Sequence, residues 1–368
     1  MKRIYQLTLI TLLSILSYNL VACSDTNDLY ILNWDEYIDQ ELIAEFESLY
    51  NCNVILDVAQ SNETMFSKIM SDAAPYDIAI PSDYMIGQMI MCDEDGVDAP
   101  IIKKIDYSKL TNYNEAAFDP KLMNLIAQDC PELTGYFVPY FWGSLGIMYN
   151  TETLNDTQVE TIKTKGWDVL FEKDLLGDVK VGMYASARDS IASSLLYNGY
   201  SLNSKEESEL QKAGDSLFNM NYHAWATDDL KTGVASGKYD LALVYSGDFF
   251  DTLYSVEDDV TFDMVAPDNN NVFFDAMVIP NNSLNEDLAY KFIDFMISYD
   301  NALRNAQYVG YCPTQTAVYQ AMVADEEYEG VSDLEVYYPG NIENGQIYKY
   351  LGTPTYELYD LIYKKVKK

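Results

Sequence analysis

Leu29-Tyr30-Ile31-Leu32-Asn33-Trp34-Asp35-Glu36-Tyr37-Ile38 is the stretch from which the fold is read. Its first five residues suit a short buried strand. Leu42, Ile43, Phe46, Leu49 and Tyr50 then recur at helical spacing. Val54 to Val58 is a second strand. A helix follows Asn62, with Met65, Phe66, Ile69 and Met70 on one face. Asp77 to Ile80 is a third strand, and Pro81-Ser82-Asp83 punctuates it before the helical run Tyr84 to Met91. This alternation of strand and helix predicts an α/β fold with a parallel sheet and right-handed crossovers.

Further along, Asp93 to Pro120 is polar and loop-rich. Tyr136 to Asn150 is apolar and aromatic but carries Pro139, Gly143 and Gly146, which fits an extended crossing between lobes better than a helix. Val179 to Tyr184 and Leu241 to Tyr245 read as strands of a second lobe, and Phe273 to Pro280 as another extended run. Leu288 to Ile297 has helical spacing, and the chain from Thr314 onward is helical in part.

At the other end, Lys2 and Arg3 precede an apolar run, Ile4 to Leu20, and then Leu20-Val21-Ala22-Cys23. This is the pattern of a bacterial lipoprotein signal: residues 1–22 are removed and Cys23 carries the lipid. The run is too short and interrupted for a transmembrane helix. Residues 23–28 form a tether. The expected location is extracytoplasmic, at the cell surface or in the periplasm, lipid-anchored to the outer face of the bacterial cytoplasmic membrane.

About 346 residues remain after the signal, enough for two lobes. Charged residues make up 22% and hydrophobic residues 48%, which marks a globular chain. The net charge of −35 excludes nucleic acid and anionic lipid heads as partners and suits a small cation. Cys52, Cys92, Cys130 and Cys312 show no CxxC spacing, so zinc is not expected; two bridges in any of three connectivities, or free thiols, remain open. His223 is the single histidine, which disfavours a His-rich metal site or a Ser-His-Asp triad.

The chain resembles the spermidine/putrescine-binding proteins of bacterial ABC importers. The resemblance rests on residues 30–38, on Ser61-Asn62-Glu63-Thr64-Met65, and on Tyr76 to Tyr84. It continues through Val138-Pro139-Tyr140-Phe141-Trp142-Gly143, Tyr245-Ser246-Gly247-Asp248, Phe273 to Pro280, and Val309-Gly310-Tyr311. These segments span nearly the whole mature chain in collinear order. The resemblance implies a two-lobed periplasmic-binding-protein type II (Venus flytrap) fold, with a cleft between the lobes and strands crossing between them. Lobe 1 would take residues 29–143 and 274–318; lobe 2 would take 144–273 and 319–368. The implied function is capture of putrescine or spermidine by hinge closure and delivery to an ABC permease, with no cofactor, no metal and no catalysis. A monomer is expected.

A polyamine is an alkyl chain bearing ammonium groups, so its receptor needs spaced carboxylates and aromatic walls. Each charge-assisted hydrogen bond contributes about 1.5–3 kcal/mol. By the resemblance, the ligand-binding residues are Trp34, Asp35, Tyr37, Ser82, Tyr84, Asp189, Tyr245, Asp248, Asp275 and Tyr311. Two positions depart from spermidine-preferring members: Ser186 stands where an aspartate can occur, and Phe273 where a tryptophan can. With Asp248 present, these departures tilt the reading toward putrescine. Structural roles compete at several positions. Trp142 suits a core, Ser82 an N-cap, Asp83 a helix N-terminus and Asp248 a turn. An acid between Phe274 and Ala276 is costly to bury unpaired, which favours ligand contact for Asp275. Other cargoes remain as alternatives: an amino acid, or ferric iron, suggested by Tyr337-Tyr338. A carboxylate-dependent extracellular hydrolase is a further one.

Overall fold

The computed structural model describes residues 27–71, 75–92, 99–256, 260–324 and 336–367. The signal and the lipidation candidate Cys23 lie outside the described residues.

Ten strands run through the described chain: β1 (Asp28–Asn33), β2 (Asn53–Val58), β3 (Ile78–Ala79), β4 (Val138–Asn150), β5 (Val181–Tyr184), β6 (Ala224–Ala226), β7 (Leu241–Tyr245), β8 (Phe262–Val265), β9 (Val272–Met277) and β10 (Cys312–Pro313). The first three form a parallel sheet in the order β2-β1-β3, as the strand–helix alternation predicts. Helices Gln40–Tyr50 and Asn62–Met70 make the connections. Asp39 and Ser61 cap them, accepting from the N–H groups of Glu41 and Thr64.

β3 is shorter than the expected Asp77–Ile80. Asp77 is instead a buried junction whose carboxylate accepts from the N–H groups of Tyr30, Leu284 and Asn285 and from the Ser283 hydroxyl. Pro81, which has no N–H, ends the strand on the other side.

β4 organises the larger, seven-stranded sheet, and all 13 of its residues are buried. Its first half, Val138–Ser144, pairs antiparallel with β9, while Phe141 and Trp142 pair with β10. From Leu145 onward its partners are β7 and β8. The register shifts between Pro139 and Phe141, where the proline cannot donate to the ladder. Trp142 is a core residue, 1% exposed, and its indole N–H donates to the Pro313 carbonyl.

An Ala79–Val278 bridge links the first sheet to the extension of β9, and a second bridge joins Ser82 to Asp275. The expected run Phe273–Pro280 is therefore part strand and part isolated bridges. Helix Glu286–Met296, with Ile297 as its C-cap, accounts for the segment read as Leu288–Ile297. The helices Thr316–Ala324 and Thr353–Val366 account for the helical part after Thr314.

Candidate functional site

A cleft of about 880 Å³ opens where β1, β3, β5, β7 and β9 direct their ends and following turns toward one another. All ten residues named from the sequence line it: Trp34, Asp35, Tyr37, Ser82, Tyr84, Asp189, Tyr245, Asp248, Asp275 and Tyr311.

Asp275 sits mid-strand on β9 and is 5% exposed. Tyr37 donates its hydroxyl to one carboxylate oxygen at 2.7 Å, and Ser82 donates to the other at 2.7 Å. The amide of Asn62 grips Ser82, accepting from its backbone N–H and donating to its hydroxyl, each at 3.0 Å. Ser82 occupies the N-cap of helix Asp83–Met91 but makes no side-chain cap bond; its hydroxyl serves the stronger acceptor, the Asp275 carboxylate. Burial pushes the Asp275 carboxyl up to about 6, against the two hydrogen bonds that favour its charged form.

Asp189 lies in the first turn of helix Ala187–Tyr197, where the helix dipole favours an anion. It is 4% exposed and accepts from the Tyr348 hydroxyl at 2.9 Å. Burial raises its carboxyl above the ordinary range, while hydrogen bonds with Ser186, Tyr245 and Tyr348 and the nearby Arg188 charge oppose the rise. Ser186 also caps the helix, accepting from the Asp189 N–H at 3.3 Å. A residue that departs from spermidine-preferring relatives thus has a local structural use.

Asp248 lies in the first turn of helix Ser246–Ser255 and accepts weakly from the Tyr245 N–H at 3.4 Å. It has a lysine beside it: the Lys231 ammonium is 3.5 Å away, and also 2.7 Å from Asp251. Burial still carries Asp248 up to about 6, Lys231 pulling down and Asp228 pushing up.

Aromatic rings line the space between the acids. Edge-to-face contacts run from Tyr184 through Tyr245 to Phe273, with centroids 5.2 and 5.1 Å apart, and Tyr37 meets Tyr311 at 5.2 Å. Gly247 makes room for this wall. A Cβ there would lie 1.8 Å from the Tyr311 ring, so only glycine lets the ring lie over the turn. The Trp34 ring is fixed by its N–H to the Ile80 carbonyl at 2.8 Å, and Asp35 is exposed at the rim. Burial holds the hydroxyls of Tyr37, Tyr245, Tyr311 and Tyr348 well above their ordinary pKa, which keeps them neutral donors.

Tyr84 differs from the other tyrosines. Its hydroxyl donates to Glu63 at 2.9 Å, and the Arg188 guanidinium lies 3.9 Å from its ring centroid. Arg188 is 7% exposed and also stacks on Tyr348 and Tyr356. One face of Tyr84 is therefore taken by the protein's own cation.

Sequence reading missed Arg188, Lys231, Tyr348, Tyr356 and Asn62. Arg188 adjoins Asp189, and Asn62 lies in a motif that carried the resemblance, so both had a signal. Lys231, one polar residue of a short helix, had none.

Cargo-specific alternatives find less in the geometry. Tyr337 and Tyr338 do not line the cleft; Tyr338 donates to Asp119 at 2.7 Å and packs on Trp142. His223 accepts from the Val181 N–H through Nδ1, a structural use. Cys52, Cys130 and Cys312 are buried thiols, and Cys92 is buried as well. Among the described residues there is no cluster of three His, Cys, Asp or Glu side chains suited to a metal.

Residues 41–330 match the sequence profile of the bacterial extracellular solute-binding proteins. The chain belongs to that family. Like its family, this solute-binding protein is similar in structure to known transport receptors. A Listeria monocytogenes protein assigned to a spermidine/putrescine ABC transporter superposes with a TM-score of 0.76 at 34% identity, covering 93% of this chain and 99% of the other. The spermidine/putrescine ABC transporter substrate-binding protein of Streptococcus pneumoniae gives a TM-score of 0.75 at 30% identity, covering 93% and 98%. The spermidine/putrescine-binding periplasmic protein of Escherichia coli is 28% identical over 350 residues, 93% of this chain and 92% of that one. The fold of this solute-binding protein is thus the two-lobed type II architecture that the resemblance implied. Among the described residues no helix is long and apolar enough to cross a membrane.

Proposed function

We propose that this solute-binding protein captures a polyamine, putrescine or spermidine, and hands it to the permease of an ABC importer. One observation carries the reading: Asp189 and Asp275 share one aromatic-walled cleft, are both deeply buried, and are hydrogen-bonded by neutral hydroxyls alone. Asp275 has no cation at hand and Asp189 has only the neighbouring Arg188 guanidinium, so burying both carboxylates is costly unless a ligand adds positive charge. The names borne by the relatives in Listeria, Streptococcus and Escherichia support the same ligand class.

In this reading Trp34, Tyr37, Tyr245 and Tyr311 take the methylenes and offer cation–π contact, while Ser82 orients Asp275. Lobe 1 comprises residues 29–143 and 274–318, and lobe 2 comprises 144–273 and 319–368. The change of strand partners at Ser144–Leu145 supports that division. A ligand touching Asp275 from one side and Asp189 from the other favours the closed arrangement, the differential contact that closure requires. The protein acts as a monomer, held at the outer face of the membrane by a lipid on Cys23.

Isothermal titration of the delipidated protein with putrescine and spermidine tests the ligand, with micromolar binding expected. No heat and no thermal shift with either amine at millimolar concentration removes the reading. Intact mass of the mature protein tests the anchor; an N-terminus elsewhere than a lipid-bearing Cys23 removes it.

A further inference from the structure

Lys231 is a primary ammonium on a four-carbon stem, chemically close to the proposed ligand. It projects from helix Asp229–Ala235 into the cleft lining, and its side chain is 19% exposed. Its ammonium is shared between Asp248, at 3.5 Å, and Asp251, at 2.7 Å. The Asp248 side chain is itself only 13% exposed, so the contact is largely screened from water.

The cleft holds a second built-in cation. The guanidinium of Arg188 fills the space among the rings of Tyr84, Tyr348 and Tyr356, and its Nε and Nη1 are buried without hydrogen-bond partners. Asp189 and Asp275 form no ion pair; their partners are hydroxyls. Among these three acids the counter-charges differ. Asp248 already has an ammonium; Asp275 has no cation, and Asp189 has only the electrostatic influence of the adjacent Arg188 guanidinium.

We propose that Lys231 is a specificity-determining residue that occupies Asp248 in place of a ligand ammonium, so that the cleft selects an amine with two charges over one with three. The inference rests on the polyamine reading above and deepens it. A diamine meets Asp189 and Asp275 and leaves Lys231 where it is. A triamine has to displace Lys231 from Asp248 or leave its third ammonium between Lys231 and Arg188, where like charges repel.

The test is titration of putrescine, cadaverine and spermidine into the wild type, Lys231→Met and Lys231→Met/Asp248→Asn. Wild type is expected to bind putrescine at least tenfold tighter than spermidine. Cadaverine, longer but still doubly charged, is expected within a few-fold of putrescine, which separates charge count from length. Lys231→Met should move the spermidine-to-putrescine affinity ratio at least tenfold toward spermidine, and the added Asp248→Asn should return the ratio to the wild-type value. A ratio unchanged in Lys231→Met overturns the proposal, as does a shift that survives loss of Asp248. The wild-type measurement stands alone if the variants fail to fold: tighter binding of spermidine than putrescine overturns the proposal while leaving the polyamine reading intact. No binding of any amine to wild type overturns the polyamine reading itself, and this inference with it.

Discussion

Asp275 and Asp248 are two buried acids in one cleft, both raised to about 6 by loss of water, yet they are held in opposite ways. Asp275 is gripped by two neutral hydroxyls, those of Tyr37 and Ser82, which fix its oxygens without cancelling its charge. Asp248 has an ammonium from its own chain. The raised pKa does not distinguish them, because burial dominates both. The difference lies in who supplies the counter-charge, and under the proposed function it leaves Asp275 as the acid for a ligand's ammonium.

The largest test of that contrast is Asp275→Asn, which keeps the shape and removes the charge. Truncating one partner of a buried charged pair costs about 2–5 kcal/mol, so putrescine affinity should fall about 30-fold or more by titration calorimetry. Equal loss on Asp248→Asn would erase the distinction.

Acid comes next. Above pH 6 Asp275 is ionised and able to bind an ammonium; below it the carboxyl is neutral. Titration at both ends should show affinity falling about tenfold between pH 7 and pH 5. Stability of the free protein should move the other way. The folded carboxyls of Asp275 and Asp248 titrate near 6, above the unfolded value near 3.8, so the native state binds more protons in that window. Stability is thus lost as pH rises from about 4 through 6, and thermal melts without ligand should be higher at pH 5 than at pH 7 as far as these two acids are concerned.

Tyr37→Phe sharpens the contrast more gently. It removes one neutral donor from Asp275, a hydrogen bond to a charged group, and is expected to weaken putrescine binding about fivefold to tenfold. An unchanged affinity would mean that the hydroxyl does not orient the acid. Asp248→Asn should have the smallest effect, less than about threefold on putrescine, because Lys231 retains Asp251 as its partner.

Much of the fold was legible because its signals are local. Alternation of apolar strand and helical spacing over residues 29–91 is enough to predict the parallel sheet, and the Pro and Gly of the 136–150 run mark an extended crossing rather than a helix. Element ends were less legible. Asp77 leaves the strand because Leu284 and Asn285, more than 200 positions away, offer it donors. In the cleft, all ten candidates were reached through the family resemblance, yet what each side chain touches was not. Ser82 read also as a cap, and Tyr84 simply as a ligand contact; only the placement of Asp275 and Arg188 settles what each side chain touches.

By itself the sequence determined the α/β class, the acidic character that welcomes a cation, and which residue types are available for the cleft, since charge count and hydrophobic period are properties of the chain alone. Only the tertiary structure decided which acids stand uncompensated. Pairing depends on distances between side chains remote in sequence, such as Tyr37 and Asp275, and on a lysine with no motif around it. Electrostatic attraction acts through space and is strengthened by burial, and neither separation nor burial can be read along the chain.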